Sequence, residues 1–419
     1  MAKFIITGGK KLEGEFLISG NKNAALPILA ATVLTDEECI IRNLPQITDV
    51  ATMLALLADL GKSLEHAGNG CVHVKGAIAK FALANELVQK MRASILLLGP
   101  LLARTGKATL GPPGGCVIGR RAVGTHFDAL AALGANIIGA EDNYDATLAH
   151  PRAGQIFLDE VSVTATENAM MCATAIPGET VIENAACEPH VADLAIALKK
   201  MGSKISGEGT NRLIIQGQKK LGGFDHAIVP DHIEAGTMII ASACTQGHLL
   251  IRDVRPAHLR PMLIYLERLG VQMNFRDDAT LEVFPSTLKA QSIKIQTRPW
   301  PGFPTDLMSP LIVLATQAHG MALCHDWMYE SRMFFVDKLI AMGANITQCD
   351  PHRVIVIGPA PLRGQKLSSP DIRAGIALVI AALAASGTST IDNVELIDRG
   401  YEDIVARLQK LGAEMAREA

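Results

Sequence analysis

The chain has 419 residues, more than one compact core usually holds, so we expect two domains. Hydrophobic residues make up 49% and charged residues 19% of the chain, which excludes a disordered protein and favours large buried layers. A net charge of -3 and an aromatic content of 4% provide neither a basic surface nor a stacking platform, so we expect no nucleic-acid partner.

The first residues, Met1-Ala2-Lys3-Phe4, lack the long apolar core and cleavage site of a signal peptide. Apolar runs such as residues 376–385 are too short to span a membrane. We therefore expect a soluble, cytoplasmic protein with no membrane partner. The eight cysteines form no CxxC pair, which argues against a zinc site and fits a reducing compartment.

The segment Phe4 to Gly14 (FIITGGKKLEG) is similar to the segment Leu213 to Gly223 (LIIQGQKKLGG) in the middle of the chain. Its first residues predict a strand. The chain also contains six repeats of one unit, and the last of them lacks a segment of this kind after its final helix. We therefore expect residues 1–20 to complete the last repeat.

From residue 21 onward, a unit of roughly 70 residues recurs six times, which predicts six small α/β modules. Each unit contains an amphipathic helix that ends at a Gly, because Gly accepts the left-handed conformation at a helix end. The six dipeptides are Leu60-Gly61, Leu133-Gly134, Met201-Gly202, Leu269-Gly270, Met342-Gly343 and Leu411-Gly412.

Each unit also contains an earlier helix that is apolar on all sides, and such helices are buried. These six helices are predicted at residues 24–34, 93–103, 167–176, 235–245, 309–316 and 374–385. Three modules form each domain. We predict one domain at 21–229 and a second at 1–20 plus 230–419, with the active site in the cleft between them, because the chain crosses twice and paired crossings suit a hinge.

The first candidate site residues are Lys22 and Asn23, immediately before a predicted helix. Lysine, asparagine and the free N–H groups of a helix start suit a phosphate or carboxylate. An ordinary helix start explains the same residues. The second candidate is Cys116, in a Gly- and Pro-rich loop at 111–121 beside Arg120 and Arg121. Two neighbouring cations favour a reactive thiolate, although a surface loop with an incidental cysteine fits as well.

Asp306 follows the rigid segment Pro299 to Thr305 at a predicted helix start, where it is either a helix cap or a base. Four arginines fall at the ends of elements, and for each a solvated ion pair is the default interpretation. Several around one cleft would instead bind a polyanion. These four are Arg92, Arg332, Arg373 and Arg399, the last of which is predicted to open the final helix.

Taken together, these segments resemble the UDP-N-acetylglucosamine enolpyruvyl transferases of bacterial peptidoglycan synthesis, along essentially the whole chain. The matching segments are Lys22-Asn23, Met91-Arg92-Ala93-Ser94, Gly114-Gly115-Cys116, Gly119, Arg121, Ser162-Val163, Phe303-Pro304-Thr305-Asp306, Glu330, Arg332, Asp371-Ile372-Arg373 and Arg399-Gly400-Tyr401-Glu402.

The resemblance implies an α/β fold of two domains, each with three βαβαββ modules around buried helices, called an inside-out α/β barrel. It implies transfer of the enolpyruvyl group of phosphoenolpyruvate to the 3-hydroxyl of UDP-N-acetylglucosamine with release of phosphate, the first committed step of peptidoglycan synthesis. It implies no metal and no organic cofactor. We expect a monomer or a weak homo-oligomer whose partners are these two small molecules, and a target of fosfomycin.

The resemblance also implies roles for individual residues. Cys116 is the catalytic acid, also able to form a covalent adduct with phosphoenolpyruvate, and Asp306 is the base. Phosphoenolpyruvate is bound by Lys22, Asn23, Arg121 and Arg399, of which Lys22 and Arg399 also count as catalytic. UDP-N-acetylglucosamine is bound by Arg92, Arg121, Ala122, Val123, Gly124, Thr125, Ser162, Val163, Asp306 and Met328. Asp371 and Arg373 support Arg399 and domain closure, and Arg332 is a further supporting residue.

Four residues depart from the family pattern. Gly124 stands where Asp is usual, Glu160 where Lys is common, Met328 where Val is common and Ala122 where Pro is usual. The first two changes remove groups expected near the nucleotide.

Three alternatives remain open. The shikimate-pathway enolpyruvyl transferase shares the fold and reaction type, but its acid–base groups are not a loop cysteine. A non-catalytic paralogue that binds a nucleotide sugar is the second. An RNA 3′-phosphate cyclase has similar modules, but a mildly acidic chain does not favour an RNA substrate.

Overall fold

A computed structural model describes residues 2–115, 122–139 and 143–418. They form two compact units. Unit A contains the described residues from Gly20 to Val229, and unit B combines those up to Ser19 with those from Pro230 onward. Within the described ranges, no helix has the length and apolar content needed to cross a membrane.

The helices lie in both units and include four short 3-10 helices among the described residues. The α-helices are α1 (Lys22–Ala31), α2 (Thr48–Asp59), α3 (Asn85–Val88), α4 (Leu98–Thr105), α5 (Gly124–Ala132), α6 (Val163–Thr174), α7 (Pro189–Lys200), α8 (His232–Cys244), α9 (Pro256–Arg268), α10 (Met308–Gln317), α11 (Val336–Ala341), α12 (Ile372–Ala384) and α13 (Ile404–Lys410). The 3-10 helices are η1 (Thr32–Leu34), η2 (Arg92–Leu97), η3 (Thr305–Leu307) and η4 (Val394–Arg399).

The strands are short and follow the helices in a repeated order. They are β1 (Lys3–Thr7), β2 (Glu13–Leu17), β3 (Cys39–Arg42), β4 (Ser63–Gly68), β5 (Cys71–Lys75), β6 (Lys107–Leu110), β7 (Asn136–Gly139), β8 (Tyr144–Thr147), β9 (Gln155–Phe157), β10 (Gly178–Glu183), β11 (Lys204–Ser206), β12 (Arg212–Gly217), β13 (Phe224–Ala227), β14 (His248–Arg252), β15 (Gln272–Asp277), β16 (Thr280–Phe284), β17 (Lys289–Gln296), β18 (His319–His325), β19 (Asn345–Asp350), β20 (Arg353–Gly358), β21 (Lys366–Ser368), β22 (Thr388–Asp392) and β23 (Glu414–Glu418).

The strands form one small sheet per module. Unit A contains the sheets β4-β5-β3-β13, β7-β8-β6 and β11-β12-β10-β9, and unit B contains β15-β16-β14-β2, β19-β20-β18-β17 and β23-β1-β22-β21. In every four-stranded sheet the last strand of this order pairs in parallel and the other pairs are antiparallel. In the three-stranded sheet, a parallel bridge from Ala82 to Thr109 takes the fourth position. The predicted α/β fold of six repeated modules is therefore confirmed, with sheets that stay separate within the described ranges.

Buried helices fill the interior of each unit. In unit A these are α1 with η1, η2 with α4, and α6, and in unit B they are α8, α10 and α12. Every residue of α8 is buried. All six positions agree with the apolar stretches of the sequence, because a helix without a polar face can only be stable when it is covered on all sides.

The amphipathic helices end as predicted, at glycines with positive φ. The φ angles are 107° at Gly61, 100° at Gly134, 103° at Gly202, 87° at Gly270, 103° at Gly343 and 94° at Gly412. A residue with a side chain rarely adopts this conformation, so the repeated dipeptide marks the end of each surface helix.

Strand β1 lies at the centre of its sheet, antiparallel to both β22 and β23. Its side chains Phe4 and Ile6 are fully buried. Lys3 is opposite Asp392 in one neighbour and Glu418 in the other. The strand has the same position here as β12 has in unit A, where the similar sequence Leu213 to Gly217 is found.

Candidate active site

In unit A, the predicted substrate-binding residues lie at the starts of helices. Lys22 is the first residue of α1, Arg92 is the first residue of η2, and Ser162 is the N-cap of α6. Thr125 lies in the first turn of α5. Helix starts present free N–H groups and a positive dipole end, so they suit phosphate and carboxylate groups.

The ammonium group of Lys22 is held by an acidic partner that the sequence did not identify. Its Nζ lies 3.3 Å from Oδ2 of Asp49, and both side chains are largely buried. Asn21 caps the same helix, because its side-chain oxygen accepts from the N–H of Ala24 at 3.0 Å. Asp49 lies in the first turn of α2, where an acidic residue is usual for any helix, so the sequence gives no sign of this contact.

Arg92 and the segment before α5 lie together. The guanidinium Nη2 of Arg92 donates to the carbonyl oxygen of Ala122 at 3.0 Å. The hydroxyl of Thr125 donates to Oδ1 of Asp159 at 2.9 Å. The predicted contacts of the nucleotide sugar at Arg92 and residues 122–125 are therefore neighbours in this unit.

A buried network connects three of these helix starts. The side chain of Asn168 accepts from the N–H of Gly99 at 2.8 Å and donates to the carbonyl of Ile95 at 2.7 Å and to Nδ1 of His126 at 2.9 Å. Because Nδ1 accepts, the ring proton of a neutral His126 is on Nε2, which donates to Thr164 at 3.0 Å. His126 and Asn168 were not predicted from the sequence, since nothing in their spacing indicates this contact.

The described start of the cysteine loop packs against Gln89, before η2, and Arg92, its first residue. A Cβ atom on Gly114 would meet the carbonyl oxygen of Gln89 at 1.6 Å, and one on Gly115, whose φ is 110°, would meet the backbone nitrogen of Arg92 at 2.9 Å. Only glycine fits at these two positions. Cys116 and Arg121 lie outside the described residues.

In unit B, Asp306 lies in η3 between two arginines. Its Oδ1 accepts from Nη2 of Arg332 at 3.2 Å, and its Oδ2 accepts from Nε and Nη2 of Arg373 at 2.9 Å each. The side chain of Asp306 is 27% exposed, whereas those of the arginines are 2% and 6% exposed. The expectation of solvated ion pairs is wrong for Arg332 and Arg373, because the chain carries both into the interior.

Both guanidinium groups remain charged in this environment. Burial lowers the pKa of Arg332 and of Arg373, but the nearby carboxylates, Asp306 first, outweigh burial and raise both above the ordinary value. The predicted supporting residue Asp371 caps α12, because its Oδ1 accepts from the N–H groups of Arg373 at 2.7 Å and Ala374 at 3.0 Å.

Two further buried residues of this cluster, Tyr401 and Asp326, were given no role from the sequence. The hydroxyl of Tyr401 accepts from Nη1 of Arg373 at 3.1 Å and lies 3.0 Å from the hydroxyl of Thr237. The carboxylate of Asp326 is fully buried and accepts from the N–H of Met328 at 3.0 Å. Both contacts join residues that are distant in sequence or lie in a loop. Tyr401 belongs to the matching segment Arg399-Gly400-Tyr401-Glu402, but that segment does not indicate its contact with Arg373, and no motif includes Asp326.

Arg399 is the last residue of η4, and α13 begins only at Ile404. The prediction that Arg399 opens the final helix is therefore wrong. The reason is Asp403, whose φ of 36° is left-handed and breaks the helical path between the two elements.

His232, the first residue of α8, lies beside this cluster. Its ring is 5.9 Å from that of Trp300 and 6.3 Å from that of His258, edge to face. Burial, then the charges of His258 and Arg373, lower the pKa of His232 to about 3, against a smaller opposite effect of Asp306. The neutral imidazole is thus the form that the folded protein holds near pH 7.

Comparison with known proteins places the chain in a family. A family model described as EPSP synthase (3-phosphoshikimate 1-carboxyvinyltransferase) matches residues 6–408. A UDP-N-acetylglucosamine 1-carboxyvinyltransferase from Treponema denticola is 49% identical, over 99% of this chain and 99% of that protein. A protein of the same name from Bradyrhizobium diazoefficiens is 47% identical, over 99% and 98% of the two chains.

A solved structure is also similar. The crystal structure of the enolpyruvyl transferase NikO from Streptomyces tendae has a TM-score of 0.90 and 25% sequence identity, and the match covers 99% of this chain and 98% of that one. These findings confirm the resemblance drawn from the sequence motifs. The chain belongs to the EPSP synthase family and, within it, to the UDP-N-acetylglucosamine 1-carboxyvinyltransferases.

Proposed function

We propose that this protein transfers the enolpyruvyl group of phosphoenolpyruvate to the 3-hydroxyl of UDP-N-acetylglucosamine and releases phosphate, as the first committed step of peptidoglycan synthesis. The observation that carries the proposal is the 49% identity to a UDP-N-acetylglucosamine 1-carboxyvinyltransferase over nearly the whole of both chains. The similar NikO protein is itself described as an enolpyruvyl transferase. Both substrates are small molecules.

Phosphoenolpyruvate carries a phosphate and a carboxylate, and both need fixed cations. We assign this work to Lys22 and Asn23 at the start of α1, with Arg121 and Arg399. The position of Lys22 supports the assignment, because a lysine held at 3.3 Å by Asp49 has its ammonium group already oriented at a helix start.

We assign binding of the nucleotide sugar to Arg92, residues 122–125, Ser162, Val163 and Met328. The hydrogen bond from Arg92 to Ala122 and the network that joins His126 to Thr164 support a shared site, because they hold the starts of η2, α5 and α6 in fixed positions. Helix starts with free N–H groups fit a diphosphate.

We assign the catalytic base to Asp306. Its ion pairs with Arg332 and Arg373 are made by the ionised carboxylate, which is the form that can accept a proton. They also fix the orientation of the side chain, while its 27% exposure leaves it accessible. A well-placed base typically contributes about 10²–10⁴ in rate.

In the proposed sequence of steps, the thiol of Cys116 donates a proton to the methylene carbon of phosphoenolpyruvate, and the adjacent carbon becomes cationic. The 3-hydroxyl oxygen of the sugar bonds to that carbon while its proton passes to Asp306, which gives a phosphorylated ketal. The thiolate of Cys116 then takes a proton from the new methyl group as the C–O bond to phosphate breaks, which restores the double bond and the thiol. The departing phosphate takes up the proton held by Asp306, which returns to its ionised form. Cys116 must therefore be a thiol when substrate binds.

The test is phosphate release from phosphoenolpyruvate with one of two acceptors, UDP-N-acetylglucosamine or shikimate 3-phosphate. We expect release with the sugar nucleotide only. Release with shikimate 3-phosphate only would establish the alternative activity named in the family description, and sugar-nucleotide binding without turnover would indicate a non-catalytic paralogue.

A matched pair of variants tests the base. Asp306→Asn should lower turnover by about 10²–10⁴. Asp398→Asn is the control, because Asp398 also pairs with an arginine, Arg417, at 2.7 Å and its side chain is 29% exposed. Equal loss of turnover in the two variants would refute the assignment of Asp306.

A further inference from the structure

Asp326 is a fully buried carboxylate directly after β18, and both of its oxygens are used. Oδ1 accepts from the hydroxyl of Thr297 at 3.1 Å and from the N–H of Met328 at 3.0 Å. Oδ2 accepts from the hydroxyl of Thr305 at 2.5 Å. A buried carboxylate is stable only when its oxygens are paired, so these three hydrogen bonds are a structural requirement.

The backbone of Asp326 is fixed as well. Its N–H donates to the carbonyl of His352 at 2.9 Å, and its own carbonyl lies 2.8 Å from Nδ1 of the same histidine. The guanidinium Nε of Arg332 lies 3.9 Å from Oδ2, while Nη2 of this arginine contacts Asp306. The carboxylate therefore has one position relative to the sheet and to the arginine that orients Asp306.

The two oxygens of Asp326 lead to two different parts of the assigned site. Oδ2 holds Thr305, the residue immediately before Asp306 in η3. Oδ1 holds the backbone of Met328, an assigned contact of the nucleotide sugar. A single buried side chain thus connects the turn that carries the base to the segment that would contact the acceptor.

We propose that Asp326 is a positioning residue for enolpyruvyl transfer: it sets the distance between the base Asp306 and the acceptor hydroxyl by holding η3 and the Met328 segment on one carboxylate. This inference rests on the function proposed above. A base misplaced by about 1 Å costs about 10²-fold in rate. The hydrogen bond between Thr305 and Asp326, which fixes η3, therefore affects turnover although neither residue touches the substrate.

The test compares two isosteric changes, because Thr305 and Thr297 each donate one hydroxyl to Asp326. Thr305→Val releases η3, so kcat should fall roughly tenfold to a hundredfold while KM for phosphoenolpyruvate changes little. Thr297→Val leaves Oδ1 with its bond from Met328, so kcat should stay within about threefold of wild type. Thr305→Ser keeps a hydroxyl and should restore most of the turnover lost in Thr305→Val.

Urea unfolding of each variant gives the structural comparison. A merely structural role predicts that kcat follows stability, so that equally destabilised Thr305 and Thr297 variants lose equal turnover, and that result would overturn the proposal. Turnover of Thr305→Val equal to that of Thr305→Ser would overturn it too. If Thr305→Val does not fold, Thr305→Ala provides the same comparison without added bulk. Absence of phosphate release by the wild-type protein with UDP-N-acetylglucosamine refutes the proposed function instead.

Discussion

Replacing His232 with Gln should make the stability of the protein less sensitive to acid. In the folded protein, the pKa of His232 is lowered from 6.5 to about 3 by burial of the ring and by the charges of His258 and Arg373. In the unfolded chain the imidazole regains its ordinary pKa. Because the unfolded state then binds the proton more readily, the stability that this group contributes is full above pH 6.5 and is lost as the pH falls towards 3.

The size of the effect follows from these two values. At pH 5 the imidazole is almost fully protonated in the unfolded chain and neutral in the folded protein, whereas at pH 7 it is mostly neutral in both. Between pH 7 and pH 5, the wild-type protein should therefore lose about 2 kcal/mol more unfolding free energy than His232→Gln, because the loss is about 1.36 kcal/mol for each pH unit below the unfolded-state pKa of 6.5. Groups present in both proteins cancel in this comparison.

The assay is urea unfolding of both proteins at pH 5, 7 and 8. The variant will differ from the wild type in absolute stability, because a buried ring has been replaced, so only the change with pH is informative. Between pH 7 and 8 the two proteins should change in parallel. Parallel change from pH 7 to pH 5 as well would show that His232 titrates normally in the folded protein and would refute the reasoning.

Two further outcomes are expected. Tyr401→Phe removes the hydroxyl that accepts from Arg373 at 3.1 Å, so the unfolding free energy should fall by about 1–2 kcal/mol. Phosphate release should also slow, because Arg373 holds the base Asp306. Urea unfolding identical to that of the wild type would contradict this contact. Fosfomycin should add once to the intact protein, as measured by mass, and not at all to Cys116→Ser. Burial raises the pKa of the Cys172 thiol to about 12, which leaves it unreactive, and an adduct on any cysteine other than Cys116 would overturn the loop assignment.

The parts of the fold that the sequence predicted are those set by local patterns. An apolar stretch without a polar face, such as residues 374–385, predicts a buried helix wherever it occurs, and a glycine such as Gly202 predicts the end of the helix before it. The residue types at the helix starts, Lys22 among them, were likewise visible in the sequence.

The contacts within the candidate site were not visible, because they join residues that are distant along the chain. Arg373 and Asp306 are 67 residues apart, and Asp326 and Thr297 are 29 apart. Only the folded chain shows that Arg373 is buried rather than solvated. The path from Arg399 to α13 was predicted wrongly for a different reason, since a left-handed Asp403 is rarely expected from sequence.

The central position of β1 between β22 and β23 affects the order in which the molecule assembles on the ribosome. The described strands of unit A lie between Cys39 and Ala227, so their pairing partners are all present as soon as that stretch has emerged. Strand β1 is made before the strands of unit A, but its neighbours at 388–392 and 414–418 are made after them. The β1 sheet of unit B must therefore wait until residue 418 has emerged, while unit A is free to fold ahead of it.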